Sequence, residues 1–316
     1  MVDHSSPPRP PLSTASLAIR LACIGGVVAA VAGAFAYVNG TFDPQRLQPK
    51  TLVNALETNN GIHPGFRRNH AKGVCVAGYF ESSAGARAYS SAQVFNAART
   101  PLIGRFALPS GNPYAPDSSV PIRSFAVQFS QANGQQWRTG MNSMPVFPVG
   151  TPEAFYQLLK AGAPDPATGK PNPANMPAFF AAHPEAAPFL AWVKTAKPSA
   201  SYATETYNGI NAFFLVGADG KRQAVRWAVV AQSQDAVGDT APAGSDFLEK
   251  DLVQRLASGP LRWQLNLTLA NPGDPLFFFT MPISNTRPIR AMIEKSWPSS
   301  HSMINAPKPA EGRVEM

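Results

Sequence analysis

The stretch "RRNHAKGVCVAGYFE" at 67–81 changes character at Gly73. Its first part places Arg67, Arg68, His70 and Lys72 close together. Its second part, 73–81, is small and apolar up to Glu81 and reads as a strand. Working outward, 102–108 predicts a second strand, and 110–121 a loop. Segment 122–130, "IRSFAVQFS", alternates apolar and polar residues, the pattern of a half-buried strand. Asn133-Gly134 then turns the chain into 136–140.

Helical signals fill the spaces between these runs. A short helix over 51–58 leads into the turn Asn59-Asn60-Gly61. Helical spacing over 90–99 puts Val94 and Ala97 on one face. Thr151 is an N-cap for a helix over 152–161, with Glu153 in its first turn. Residues 179–196 read as largely helical. Strands at 211–216 and 223–230 flank Ala218-Asp219-Gly220, a hairpin signal. An amphipathic helix over 246–258 stops at Gly259, and 261–270 alternates as a strand. Several strands, hairpin turns and short helices predict an α+β fold built on an antiparallel barrel.

The N-terminus is different. Residues 1–15 form a polar, proline-rich tail, and 16–38 carry an uncharged apolar run from Leu21 to Val38. Eighteen helical residues span about 27 Å, close to the hydrocarbon thickness of a bilayer. Arg9 and Arg20 precede the run, which favours an inside tail and an exported body. Ala34-Phe35-Ala36 also offers a small-x-small cleavage site, so a retained transmembrane anchor and a removed signal both remain open, beside a buried core helix. The body is then 39–275. Residues 276–316 open on an apolar run, turn rich in Pro and Ser from 296, and are expected to form a divergent, disordered tail.

Composition narrows the function. Net charge is +8, but no run of five basic residues exists, which argues against nucleic acid as a partner. Cys23 and Cys75 offer neither zinc spacing nor an intradomain disulfide. The 5 histidines include no pair at metal-ligand spacing, and no Walker loop, Gly-x-Ser-x-Gly elbow or His-Glu-x-x-His occurs.

The block Arg-x-x-His-Ala-Lys-Gly resembles the distal-histidine segment of haem catalases. The likeness continues in order through "YSSAQVF" (89–95), "RTPLIGRFA" (99–107), "RSFAVQF" (123–129), "TGMNSMPVF" (139–147), "YNGINAFFLVGADGK" (207–221) and "FLEKDLVQRLASGPLRWQLNLTLANPGDP" (247–275). From residue 54 to 275 the chain is therefore similar to the catalase superfamily, in particular to small catalase-related peroxidases with an N-terminal export segment. That resemblance implies a catalase-like antiparallel β-barrel with surrounding helices, and haem as cofactor. It implies hydrogen peroxide or organic peroxides as substrates, a small organic electron donor, and a role in the oxidative stress response. With the apolar segment it implies the bacterial periplasm, anchored to the inner membrane if the segment is kept.

Carried over by position, His70 matches the distal acid–base histidine and Asn142 the amide that hydrogen-bonds peroxide. Asn142 sits in Gly140-Met141-Asn142-Ser143-Met144-Pro145, one residue longer than in the large catalases. Arg67 and Arg105 match arginines that pair with haem propionates. Large catalases follow the arginine with Phe-Ser, whereas Arg105 is followed by Phe106-Ala107. The serine that holds the distal histidine is thus missing at 107. The expectation is a less firmly oriented imidazole and a bias toward peroxidase over oxygen-releasing chemistry.

The family ligates iron through a tyrosine phenolate on a C-terminal helix. All 7 tyrosines here (37, 79, 89, 114, 156, 202 and 207) precede Pro275, so the metal ligand is unassigned; His301 is the only histidine beyond it. A frame slip after Pro275 would account for the switch. The alternative to an active peroxidase is accordingly a truncated homologue with weak haem binding and little or no activity. A membrane-anchored, non-haem small-molecule barrel is the remote third reading.

Overall fold

Side chains alternate across a strand, so each strand here buries one parity and frees the other. The large apolar residues share a parity: Val76 and Phe80, Leu102 and Phe106, Phe125, Val127 and Phe129 are all buried. Their strands must then curl around one core. In the computed structural model, which describes residues 13–43, 46–197, 199–233, 244–271 and 289–294, they do so.

The elements run α1 (Thr14–Val38), α2 (Pro49–Asn60), β1 (Gly73–Glu81), α3 (Ala84–Arg87), α4 (Gln93–Asn96), β2 (Thr100–Ala107), β3 (Ser124–Ser130) and β4 (Gln136–Asn142). Then follow α5 (Pro152–Ala161), α6 (Asn175–Ala182), α7 (Ala187–Thr195), β5 (Tyr207–Val216), β6 (Arg222–Ala231), α8 (Phe247–Ser258), β7 (Arg262–Leu269) and β8 (Ile289–Glu294). The eight strands close into a barrel in sequence order, each antiparallel to the next. The expected antiparallel barrel with surrounding helices is the observed architecture.

Aromatic rings fill the interior. Phe106 stacks on Phe125 with centroids 4.2 Å apart and on Tyr202 at 5.1 Å. Tyr207 and Trp263 close around the same rings. Each such side chain contributes roughly 2–3 kcal/mol by leaving water. Trp227 donates from Nε1 to Thr139 Oγ1 at 3.0 Å, which satisfies its polar end inside the core. Close packing explains two glycines. A Cβ on Gly73 would lie 2.2 Å from the Phe106 carbonyl, and one on Gly209 would lie 2.6 Å from the Trp227 indole nitrogen.

Where sequence and structure differ, the causes are local. The span 90–99 is helical only over α4, because its chain must turn to start β2 at Thr100. The run 179–196 is broken at Pro184, where a 3-10 turn (Pro184–Ala186) separates α6 from α7. Of the expected disordered tail, the described part, 289–294, is instead strand β8, paired with both β7 and β1. The rest of 276–316, including His301, lies outside the described residues, as do residues 1–12 of the polar tail.

The first 48 residues form a separate unit from the barrel. Within it, α1 is 25 residues long with no buried side chain. At 1.5 Å per residue that is about 37 Å, enough to cross a bilayer.

Candidate active site

The outer barrel face carries rows of residues in strict register. One row runs Gly73, Ala107, Ser124, Asn142 and Asn208 across β1 to β5. The next runs Cys75, Arg105, Ala126 and Gly140. Cys75, Ala126 and Gly140 are exposed, as is Ile103 beside them. A Cβ at Gly140 would meet nothing within 4 Å. These small side chains leave an open platform on this sheet face.

The segment that enters β1 folds over one end of this platform. His70 has φ of 55°, the sole positive φ of a non-glycine among the described residues. That conformation is disfavoured for histidine and needs outside support. Arg105 supplies it: its guanidinium donates to the His70 carbonyl at 2.8 Å and to the Ala71 carbonyl at 3.1 Å. The His70 amide donates to Asn69 Oδ1 at 2.9 Å, and the Ala71 amide to the Ser110 carbonyl at 2.8 Å.

The imidazole and Asn142 meet through a serine. His70 Nε2 is 3.1 Å from Ser124 Oγ, and the Ser124 hydroxyl donates to Asn142 Oδ1 at 2.6 Å. The backbone at Asn142 is held by Asn208, whose side-chain amide donates to the Asn142 carbonyl at 3.4 Å and to the Ser143 carbonyl at 3.2 Å. Burial first, then the positive charges of Arg105 and Arg67, hold the His70 imidazole below its ordinary pKa, so it is neutral at neutral pH.

The structure therefore brings His70, Asn142 and Arg105 together, with Arg67 near enough for its charge to act on both His70 and Arg105. It corrects one expectation. Ala107 does not leave His70 unheld, because Ser124, its cross-strand partner in β3, supplies a hydroxyl instead. Parity carried that signal: Ser124, Ala126 and Gln128 share the outward face of "RSFAVQF". Sequence reasoning also passed over Lys72. Its ammonium sits 2.7 Å from Asp117 and 2.9 Å from Asp246, and donates to the Ala115 carbonyl at 2.9 Å. Asp117 in turn accepts the Leu248 amide at the start of α8, at 2.8 Å.

No cluster of three or more His, Cys, Asp or Glu able to hold a metal occurs among the described residues. Tyr202 and Tyr207 lie inside the barrel, and burial pushes both phenols up, so neither is a phenolate at neutral pH. The arrangement offers acid–base and hydrogen-bonding chemistry beside an open platform.

The eight strands thus form a closed antiparallel barrel that carries His70 and Asn142 at one end of its outer face. The family model described as "Catalase" matches residues 38–287, and the chain belongs to the catalase family, among the catalase-related peroxidases. It is 36% identical over 231 residues to the catalase-related peroxidase of Synechococcus elongatus, covering 72% of this chain and 68% of that one. The catalase-related peroxidase of Mycolicibacterium paratuberculosis is 32% identical over 232 residues, covering 72% of this chain and 73% of its own. Among solved structures, catalase A from Saccharomyces cerevisiae superposes with a TM-score of 0.66 at 18% identity. The chain spans 57% of that yeast catalase's length.

Proposed function

We propose that this chain is a haem-dependent peroxidase that reduces hydrogen peroxide or organic peroxides at the expense of a small organic donor. The observation that carries the reading is the pairing of a neutral, half-buried His70 with Asn142 at the edge of an open platform, in a chain of the catalase family.

The platform suits a planar macrocycle. Cys75, Ala126 and Gly140 present no bulky side chain, and Ile103 adds apolar surface, 59% of it exposed. Arg67 and Arg105 supply cations for the propionates of haem, since only part of the Arg105 fork is spent on the two carbonyls. Bound haem would supply the redox couple that accepts the oxidising equivalents of peroxide.

The remaining work belongs to side chains. His70, kept uncharged by burial and by its arginine neighbours, has a lone pair able to take a proton from peroxide and return it to the leaving oxygen. Asn142 presents its amide N–H groups to the peroxide oxygens, because Ser124 occupies the carbonyl end of the side chain. Arg105 holds the loop that carries His70.

The test is the absorption spectrum and peroxide turnover of the full chain in detergent, with haem supplied and a phenol as donor. A stoichiometric Soret band and peroxide-dependent phenol oxidation are expected, falling about 10²- to 10⁴-fold in His70→Gln. Haem that washes off, or turnover no faster than that of free haem, overturns the reading. The further proposal is that α1 anchors the protein with the barrel on the periplasmic side; recovery of the full chain in the soluble fraction without detergent would refute it.

A further inference from the structure

The barrel wall opens at the end away from His70. There β4 meets β5 at a single register pair, Asn142 with Asn208, and β5 shifts register against β6 between Gly209 and Phe213. A cleft of about 450 Å³ lies between Gln131, Gln135 and Trp137 on one side and Phe213 to Val216 on the other, with Trp227 in its wall. Small-molecule sites run from roughly 300 to 1,000 Å³. Strand β3 runs from Ser124 to Ser130, so the cleft is about 20 Å along the wall from Ser124.

The lining combines ring faces with an unanswered acceptor. Phe213 stacks on Trp227 with centroids 4.0 Å apart and planes 15° apart, yet it stays 37% exposed. A stack that ends in water is extended by a further planar ring. Gln131 carries a side-chain oxygen, Oε1, that is buried and has no hydrogen-bond partner among the described residues. The turn that bears it is fixed: its amide donates to the Gln135 carbonyl at 3.0 Å, and its carbonyl accepts the Gly134 amide at 3.0 Å. A buried acceptor left unpaired costs free energy that a ligand O–H recovers.

The same wall leads back to the platform. Trp137 and Trp227 meet edge to face at 5.2 Å. Trp227 donates its indole N–H to Thr139, and the next residue is Gly140 of the open platform.

We propose that this cleft binds the organic donor, and that the donor is a planar aromatic molecule with a ring hydroxyl, its ring on Phe213 and its O–H on Gln131. What the bound molecule does rests on the peroxidase reading; its binding does not. Two such rings in turn each give one electron through Trp137 and Trp227 toward the platform and release the hydroxyl proton to water. The two electrons and two protons turn one peroxide into two waters.

The experiment uses the full chain in detergent micelles, labelled with 5-fluorotryptophan, before haem is added. The Trp137 and Trp227 signals are assigned by their loss in Trp137→Phe and Trp227→Phe. The probes are p-cresol and 4-methylanisole, which has the ring but no O–H to donate. In wild type p-cresol is expected to shift both signals and to bind about 10-fold tighter than 4-methylanisole. Trp263, packed on Phe106 and Phe125, should not move. Gln131→Leu removes the preference for p-cresol, and Phe213→Ala weakens both probes about 10-fold. With haem supplied, the KM for p-cresol rises about 10-fold in Phe213→Ala while the KM for peroxide and the Soret band hold. Cresol that leaves Trp137 and Trp227 unshifted, or binds both variants as it binds wild type, overturns the site, and a cresol KM unmoved in Phe213→Ala overturns its role as the donor site. A wild type that binds p-cresol in the cleft but never oxidises it with peroxide overturns the peroxidase reading and leaves the binding site standing.

Discussion

Lys72 lies two residues from the proposed base, yet the structure gives it a scaffolding task with a predictable size. Its ammonium joins Asp117 on the loop between β2 and β3 to Asp246, the residue that starts α8. Asp117 is only 2% exposed, so Lys72→Met leaves a carboxylate in the interior without its counter-ion. Breaking a buried pair from one side costs about 3–5 kcal/mol. Lys72 is 15% exposed, which puts the expectation at the lower end, about 3–4 kcal/mol. Asp246 is half exposed and adds less than about 1 kcal/mol. For a body of this size each kcal/mol shifts Tm by roughly 2–4 °C, so the variant should melt roughly 6–16 °C lower. The double variant Lys72→Met/Asp117→Asn provides the control. Its amide oxygen can still accept the Leu248 N–H, and no charge remains to be buried, so most of the loss should be recovered. Thermal unfolding of the full chain in detergent, followed by circular dichroism at 222 nm, measures both. A Lys72→Met protein within 2 °C of wild type, or a double variant less stable than the single, would refute the reasoning.

Two further expectations concern pH and packing. His70 has a folded pKa below its unfolded one, so the unfolded chain binds the extra proton first as pH falls. Its contribution to stability is therefore complete above about pH 6.5 and declines below that value. Peroxide turnover should likewise hold to below pH 6.5 before its acid limb falls, and Arg67→Gln, which removes one repelling cation, should move that limb upward; an unmoved midpoint in the pH–rate profile argues against the electrostatic account. Gly73→Ala should destabilise by more than about 3 kcal/mol, because the new methyl meets the Phe106 carbonyl at 2.2 Å and both strands belong to the barrel wall; denaturant unfolding within 1 kcal/mol of wild type would disprove the close approach.

Strand parity made most of the barrel legible in the sequence. The alternation in 122–130 and 261–270 defines which side chains enter the core, and Asp219-Gly220 marks the hairpin between β5 and β6. Strand β8 was not legible. Its "IRAMIE" is too short and too mixed to announce a strand, and its place depends on the edges that β1 and β7 leave open. His70 and Asn142 could be paired from the sequence only through resemblance to a family, because residues 72 apart share no local pattern. The substitution at Ala107 was visible, but its compensation was not. Seeing Ser124 in its place requires the register of β2 against β3, which follows from closure of the barrel and not from either strand alone.

The positive φ of His70 has an evolutionary consequence. A left-handed backbone costs a histidine about 1–2 kcal/mol that glycine would be spared and asparagine largely so. Selection on folding alone would then drift position 70 toward glycine or asparagine, each one giving up the imidazole. A chain that keeps histidine there surrenders stability for a ring that faces Ser124, and position 70 becomes a marker of use: relatives released from the chemistry should lose this histidine before they lose the barrel.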